Sequence, residues 1–132
     1  MCEASLLAGI AFAAPKTSGP HVCSYPLTSI YHVPHGEACG ITLDSFLRLN
    51  KDAQGGRLHQ LAKMIGRQDA CELADDILAL KQRAGLRCRL SEAGISEGNI
   101  PSLVKECHHP NMALNPVEVT DEILDAMFRK LL

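Results

Sequence analysis

The sequence has no tryptophan, three phenylalanines and two tyrosines among its 132 residues. Val, Ile and Thr, which strands prefer, total only 17, so a β-rich fold is not expected. No apolar run reaches the roughly 18 residues a membrane span needs. An excess of either charge is also missing. Lys and Arg number 13 against 15 Asp and Glu, for a formal net charge of -2. Neither a nucleic acid nor another polyanion is therefore an expected partner. The six cysteines include no C-x-x-C pair, which speaks against a zinc knuckle or a thioredoxin-type motif. Gly55-Gly56 lacks the strand and helix context of a phosphate-binding loop.

What remains is helical material. Leu and Ala supply 33 residues, and both are strong helix formers. With 46% hydrophobic and 21% charged residues, the chain reads as globular. Its length suits one domain, able to bury about two thirds of the unfolded surface. That length is short for an enzyme that binds both a cofactor and a substrate. Met1-Cys2-Glu3 has no basic n-region, and Ala13-Ala14-Pro15 makes a poor cleavage site. The cysteines are accordingly expected to be reduced, mostly buried thiols of a cytoplasmic protein.

Periodicity and punctuation predict six or seven helices. Residues 4–14 read as a buried helix rich in small residues, and Pro15 to Pro20 as a break. A helix over 21–31 holds Pro26 as a kink or a first turn. Residues 37–49 follow, with apolar positions at Ile41, Leu43, Phe46, Leu47 and Leu49. Lys51 to Arg57 reads as a polar loop. Leu58, Leu61, Ala62 and Ile65 then recur at helical spacing up to Gly66. Asp69 to Glu72 has the layout of a capping box opening an amphipathic helix that ends at Gly85. A short turn is expected at Ser91 to Gly94 and a helix over 100–107 with Pro101 in its first turn. The segment Asn111 to Val119 reads as irregular. Thr120 caps a last helix whose buried stripe is Ile123, Met127 and Leu131.

The six histidines cluster. His21, His32 and His35 fall within fifteen residues, at the ends of two predicted helices that a short break can bring together. Imidazole suits Zn²⁺ or Fe²⁺, and Gly36 leaves space beside His35. Yet H-x13-H is not a recognised metal spacing. Spacing alone is met as simply by one hydrogen-bonded core histidine and surface partners. His108-His109 before Pro110 reads as a solvated helix end, and His59 as a surface residue. Glu37 and Asp44 are a conceivable carboxylate pair, although Glu37 is more simply a first-turn helix acid.

The stretch Ala4-Ser5-Leu6-Leu7-Ala8-Gly9-Ile10-Ala11-Phe12 resembles the iron-containing (group III) alcohol dehydrogenases. So do Gly19-Pro20-His21, Ser24-Tyr25-Pro26-Leu27, Pro34-His35-Gly36-Glu37-Ala38 and Leu47-x-x-Asn50. Gly85-Leu86 with Leu90-Ser91-Glu92-Ala93-Gly94-Ile95, and Asn115-Pro116 with Val119-Thr120, are similar to that family's closing segments. The string Ser24 to Ser29 looks closest to the branch that includes phosphonoacetaldehyde reductases. The resemblance covers nearly the whole chain.

It implies an all-α, multi-helical domain of the dehydroquinate synthase-like type, residues 1–132 forming one metal-binding domain. The family's N-terminal α/β domain, which binds NAD(P), is expected to be absent from this chain. The family holds its metal with one Asp and three His. Two of those His match His21 and His35, and no D-x-x-x-H is present to supply the other two ligands. A further active-site histidine of the family falls on Tyr25, which is thereby the candidate catalytic residue. The implied activity is NAD(P)-linked interconversion of a primary alcohol and an aldehyde at Fe²⁺ or Zn²⁺, in a homo-oligomer. Two imidazoles alone are a poor metal site. The isolated chain is therefore expected to bind metal weakly, to turn over no substrate and to self-associate through uncovered apolar surface.

Two other classes stay open. One is an inactive structural or interaction domain that keeps the fold. The other is a lyase like dehydroquinate synthase, or a glycerol dehydrogenase, with the same plan and different metal and substrate contacts.

Overall fold

The computed structural model describes residues 1–132 and contains no strand. Seven α-helices carry the chain. They are α1 (Cys2–Phe12), α2 (Gly19–Ser29), α3 (His35–Leu49), α4 (Ala53–Met64), α5 (Ala70–Arg83), α6 (Ile100–Glu106) and α7 (Asp121–Lys130). Short 3-10 turns at Ser91–Ala93, Glu97–Asn99 and Pro110–Leu114 join the later helices. None of the helices is long and apolar enough to cross a membrane.

Local chemistry explains most of the boundaries. Asp69 Oδ1 accepts the N–H groups of Cys71 at 2.7 Å and Glu72 at 3.0 Å, which satisfies two orphan donors at the start of α5. The Glu72 carboxylate reaches one residue further back than a capping box requires and accepts the Gln68 N–H at 2.6 Å. His59 is not simply a surface residue, because its Nδ1 accepts the Ala70 N–H at 3.1 Å. Gly66 closes α4 with φ +78°, a left-handed conformation that glycine adopts without strain. Thr120 Oγ1 accepts the Ile123 N–H at 3.4 Å and caps α7.

Proline placement corrects one alternative. Pro20 occupies the first turn of α2, while Pro26 lies inside the helix and is buried. The helix continues past it, and Ile30 N–H donates to the Pro26 carbonyl at 2.9 Å. The loop expected over Lys51 to Arg57 shows as a break near the start of α4, a run of three left-handed residues, Gln54, Gly55 and Gly56, with φ of 51°, 68° and 75°.

The core gathers Leu27 of α2, Ile41 and Phe46 of α3, Leu103 of α6, Phe128 of α7 and Leu90 from the connector. α2 and α3 pack along each other, and α5 lies along α3. The C-terminus is tied back where Leu90 N–H donates to the Leu131 carbonyl at 2.8 Å. The buried stripe of α7 is wider than Met127 and Leu131, because Leu124 and Phe128 are also buried and Ile123 only partly so.

Two expectations fail. α1 forms as a helix, but none of its residues is buried. Leu6, Leu7, Ile10 and Phe12 are 65%, 59%, 65% and 53% exposed. Its apolar residues surround the helix on all sides, and no other element of the chain covers them. The thiols are all free, but only Cys23 and Cys107 are buried. A hydrogen bond to Cys107, reinforced by burial, raises the Cys23 thiol well above its ordinary range.

Candidate metal centre

The break between α2 and α3 does what a short connector between packed helices allows. It places the start of α3 beside the first turn of α2, so His35 meets His21 across fourteen residues of sequence. Their Nε2 atoms lie 3.3 Å apart, and the rings stand edge to face with centroids 4.6 Å apart. His32 is not part of the pair. It sits in the connector, exposed, with φ +56°.

Buried Ser24 locks the arrangement. Its hydroxyl donates to the His21 carbonyl at 2.6 Å, and its Oγ lies 3.3 Å from His35 Nδ1. The contact to Nδ1 orients the His35 ring so that Nε2 points at His21, the kind of support that fixes an imidazole ligand. Burial, and then the neighbouring His35, hold His21 below its ordinary value of 6.5. The neutral imidazole, the form that binds metal, is favoured.

Cys39 completes the cluster, one helical turn beyond His35. Its Sγ lies 3.5 Å from His21 Nδ1 and 3.8 Å from His35 Nε2. One donor atom from each of His21, His35 and Cys39 can be chosen so that all lie within 4.8 Å of one another. Two imidazoles and a thiol form a donor set that suits a divalent transition metal, zinc above all.

Tyr25 follows His21 by one turn and lies over it, ring centroids 5.6 Å apart and nearly perpendicular. On its other side is His109, at 5.2 Å. His108 and His109 are both exposed just after α6, as expected of a solvated helix end, and His108 bonds Asp121 at 2.8 Å. The Nδ1 of His109 accepts the Asn111 N–H at 3.1 Å. Glu37 and Asp44 do not pair. Glu37 accepts from both the backbone and the guanidinium of Arg87 at 2.8 Å, and Asp44 pairs with Lys81.

The three residues expected from the sequence, His21, His35 and Tyr25, lie together in the structure, and Cys39 and His109, not singled out there, lie against them. The spacing His35-x-x-x-Cys39 was the available signal for the first. For His109 there was none, because it joins Tyr25 from 84 residues away.

Comparison with known proteins places these residues in context. Residues 1–132 match the Fe-containing alcohol dehydrogenase family, C-terminal part. The chain is 28% identical to 1,3-propanediol dehydrogenase of Citrobacter freundii over 98% of its own length and 36% of that protein's. It is 46% identical to phosphonoacetaldehyde reductase of Streptomyces viridochromogenes over 48 residues, 36% of this chain and 12% of that protein. The crystal structure of sulfoacetaldehyde reductase from Bifidobacterium kashiwanohense in complex with NAD+ is similar with a TM-score of 0.93 and 52% identity, covering 98% of this chain and 35% of that one. The chain spans about a third of the length of these full-length matches.

Proposed function

Because this chain belongs to the Fe-containing alcohol dehydrogenase family, we propose that it is the metal-holding, C-terminal helical part of an NAD(P)-linked alcohol dehydrogenase or aldehyde reductase. The observation that carries this reading is the meeting of His21 and His35 Nε2 atoms at 3.3 Å. Residues 1–132 act as one helical domain. The chain has neither a strand nor a glycine-rich phosphate loop, so the nucleotide would be held by residues outside it.

His21 and His35 would hold the metal as neutral imidazoles, with Ser24 keeping the His35 ring in place. Bound there, a divalent metal supplies the Lewis acidity that polarises an aldehyde carbonyl or lowers an alcohol's pKa, and the nicotinamide supplies the hydride. Tyr25 stands edge-on to the His21 ring, beside where the metal would sit. Its phenol would hold a proton or a hydrogen bond at the substrate oxygen. The substrate class is a small aldehyde or primary alcohol. The names of the sulfoacetaldehyde and phosphonoacetaldehyde reductases support an aldehyde that carries an acidic group.

The test is a chimera in which this chain replaces the matching third of the sulfoacetaldehyde reductase. NADH-dependent reduction of sulfoacetaldehyde, abolished by His21→Ala and by His35→Ala, is the expected result. A chimera that folds and binds NAD+ but turns over neither this aldehyde nor other short aldehydes overturns the reading in favour of an inactive interaction domain.

A further inference from the structure

His35 and Cys39 are four residues apart on α3, so their side chains rise from one face of the helix. His21 faces that stripe from α2, presenting Nε2 to His35 and Nδ1 to the Cys39 sulfur. The two separations measured from His35 Nε2 are of the size found between ligands of one metal ion. Zinc–nitrogen bonds near 2.0–2.1 Å and zinc–sulfur bonds near 2.3 Å put tetrahedral ligands about 3.3 Å apart for N···N and about 3.6 Å for N···S. With Nε2 as the donor of both rings, the observed separations are 3.3 Å for N···N and 3.8 Å from Cys39 Sγ to His35 Nε2, and one donor atom from each of the three residues can be chosen with all within 4.8 Å of one another.

We propose that Cys39 is a third protein ligand to a divalent metal held by His21 and His35, and that its thiolate turns the site toward Zn²⁺ over Fe²⁺. The inference rests on the reading of His21 and His35 as ligands. Two imidazoles and one thiolate meet the three-ligand minimum of zinc sites with an open position. Thiolate is a soft ligand that favours zinc over harder ions. On binding, a metal–sulfur bond forms, the thiol proton passes to solvent, and nothing is oxidised or reduced. The chain thereby has a complete minimal site without the ligands that the two-histidine reading left missing.

Cobalt(II) is the probe, titrated into the 132-residue chain and followed by absorption. The expected result is one equivalent bound with a thiolate-to-cobalt charge-transfer band. That band is lost in Cys39→Ser and kept in Cys71→Ser. Zn²⁺ should displace the cobalt and protect Cys39, but not Cys88, from alkylation mapped by mass spectrometry in the unaltered chain. Affinity in Cys39→Ser should fall by more than the roughly 10–100-fold that loss of an outer-shell partner costs. Cobalt bound without the band, or a band that survives Cys39→Ser, overturns the Cys39 assignment while leaving the two imidazoles as ligands. Cobalt binding that survives His21→Ala and His35→Ala, or no binding at all, overturns both.

Discussion

Lys81 and Asp44 form a buried ion pair across the contact of α5 with α3, their side chains only 7% and 8% exposed. The same ammonium donates to the carbonyls of Gly40 at 3.0 Å and Ile41 at 3.3 Å. All three of its protons are thus used, and the helix that carries His35 and Cys39 is fastened to its neighbour. Lys81→Met strands the Asp44 charge, so a loss of about 3–5 kcal/mol is expected. The double variant Lys81→Met with Asp44→Leu should recover much of that loss. Urea unfolding of the two single variants and the double one checks both statements. A double variant no more stable than its weaker parent counts against the pair as the cause.

Gly19 sets how closely α2 approaches α3. A Cβ there would lie 2.1 Å from Cε1 of the Phe46 ring, and Phe46 is buried in the core. Gly19→Ala should therefore cost about 1–3 kcal/mol through overpacking. Because His21 is two residues along the same helix, metal affinity should fall as well. Thermal melting together with calorimetric metal titration measures both. An unchanged melting temperature would sink this account of the α2–α3 contact.

Asp69 gives an acid-sensitive end to α5. The N–H groups of Glu72 and then Cys71 hold its carboxyl below the ordinary value of 3.8. A carboxyl depressed in the folded state adds stability that is fully present above its unfolded pKa. That stability is lost as pH falls through the lower, folded value. Asp69→Asn keeps a capping acceptor without the charge. Its stability should fall less steeply below pH 3.8 than that of the parent chain. Helicity followed by circular dichroism through an acid titration tests this, and parallel curves would refute it.

Asn50 and Asn115 exchange side-chain hydrogen bonds, both 2.9 Å long. Asn115 also donates to the Val117 carbonyl at 2.7 Å. The pair joins the end of α3 to the segment that lays His109 against Tyr25. Asn115→Ala leaves half-buried groups of Asn50 and Val117 unsatisfied, and a cost of about 1 kcal/mol is expected. Adding Asn50→Ala should cost little more, because the partner is already gone. Additive losses in chemical denaturation would show the two amides acting separately.

The helical plan was legible because its punctuation is local. Asp69, Gly66, Gly85 and Thr120 act through their own backbone and their immediate neighbours, so the sequence carries them. His21 and His35 were legible through their surroundings, Gly19-Pro20-His21 and Pro34-His35-Gly36, rather than through their spacing. Cys39 was obscured because a thiol outside a paired-cysteine motif reads as a small hydrophobe. His109 and Lys81 were hidden for a different reason. Their roles depend on partners 84 and 37 residues away, and helix periodicity does not report which helices meet. The burial expected of α1 followed from its apolar composition, which signals that a helix wants cover but not where the cover comes from.

The exposure of α1 separates the chain into two stability classes. Its amides are closed by hydrogen bonds within the helix, with no packing to defend them, and a helix of 11 residues is marginal in water on its own. In native-state hydrogen exchange, α1 should therefore exchange by local opening, while α2 and α3 exchange only with global unfolding. Opening of α1 would leave the histidine pair undisturbed.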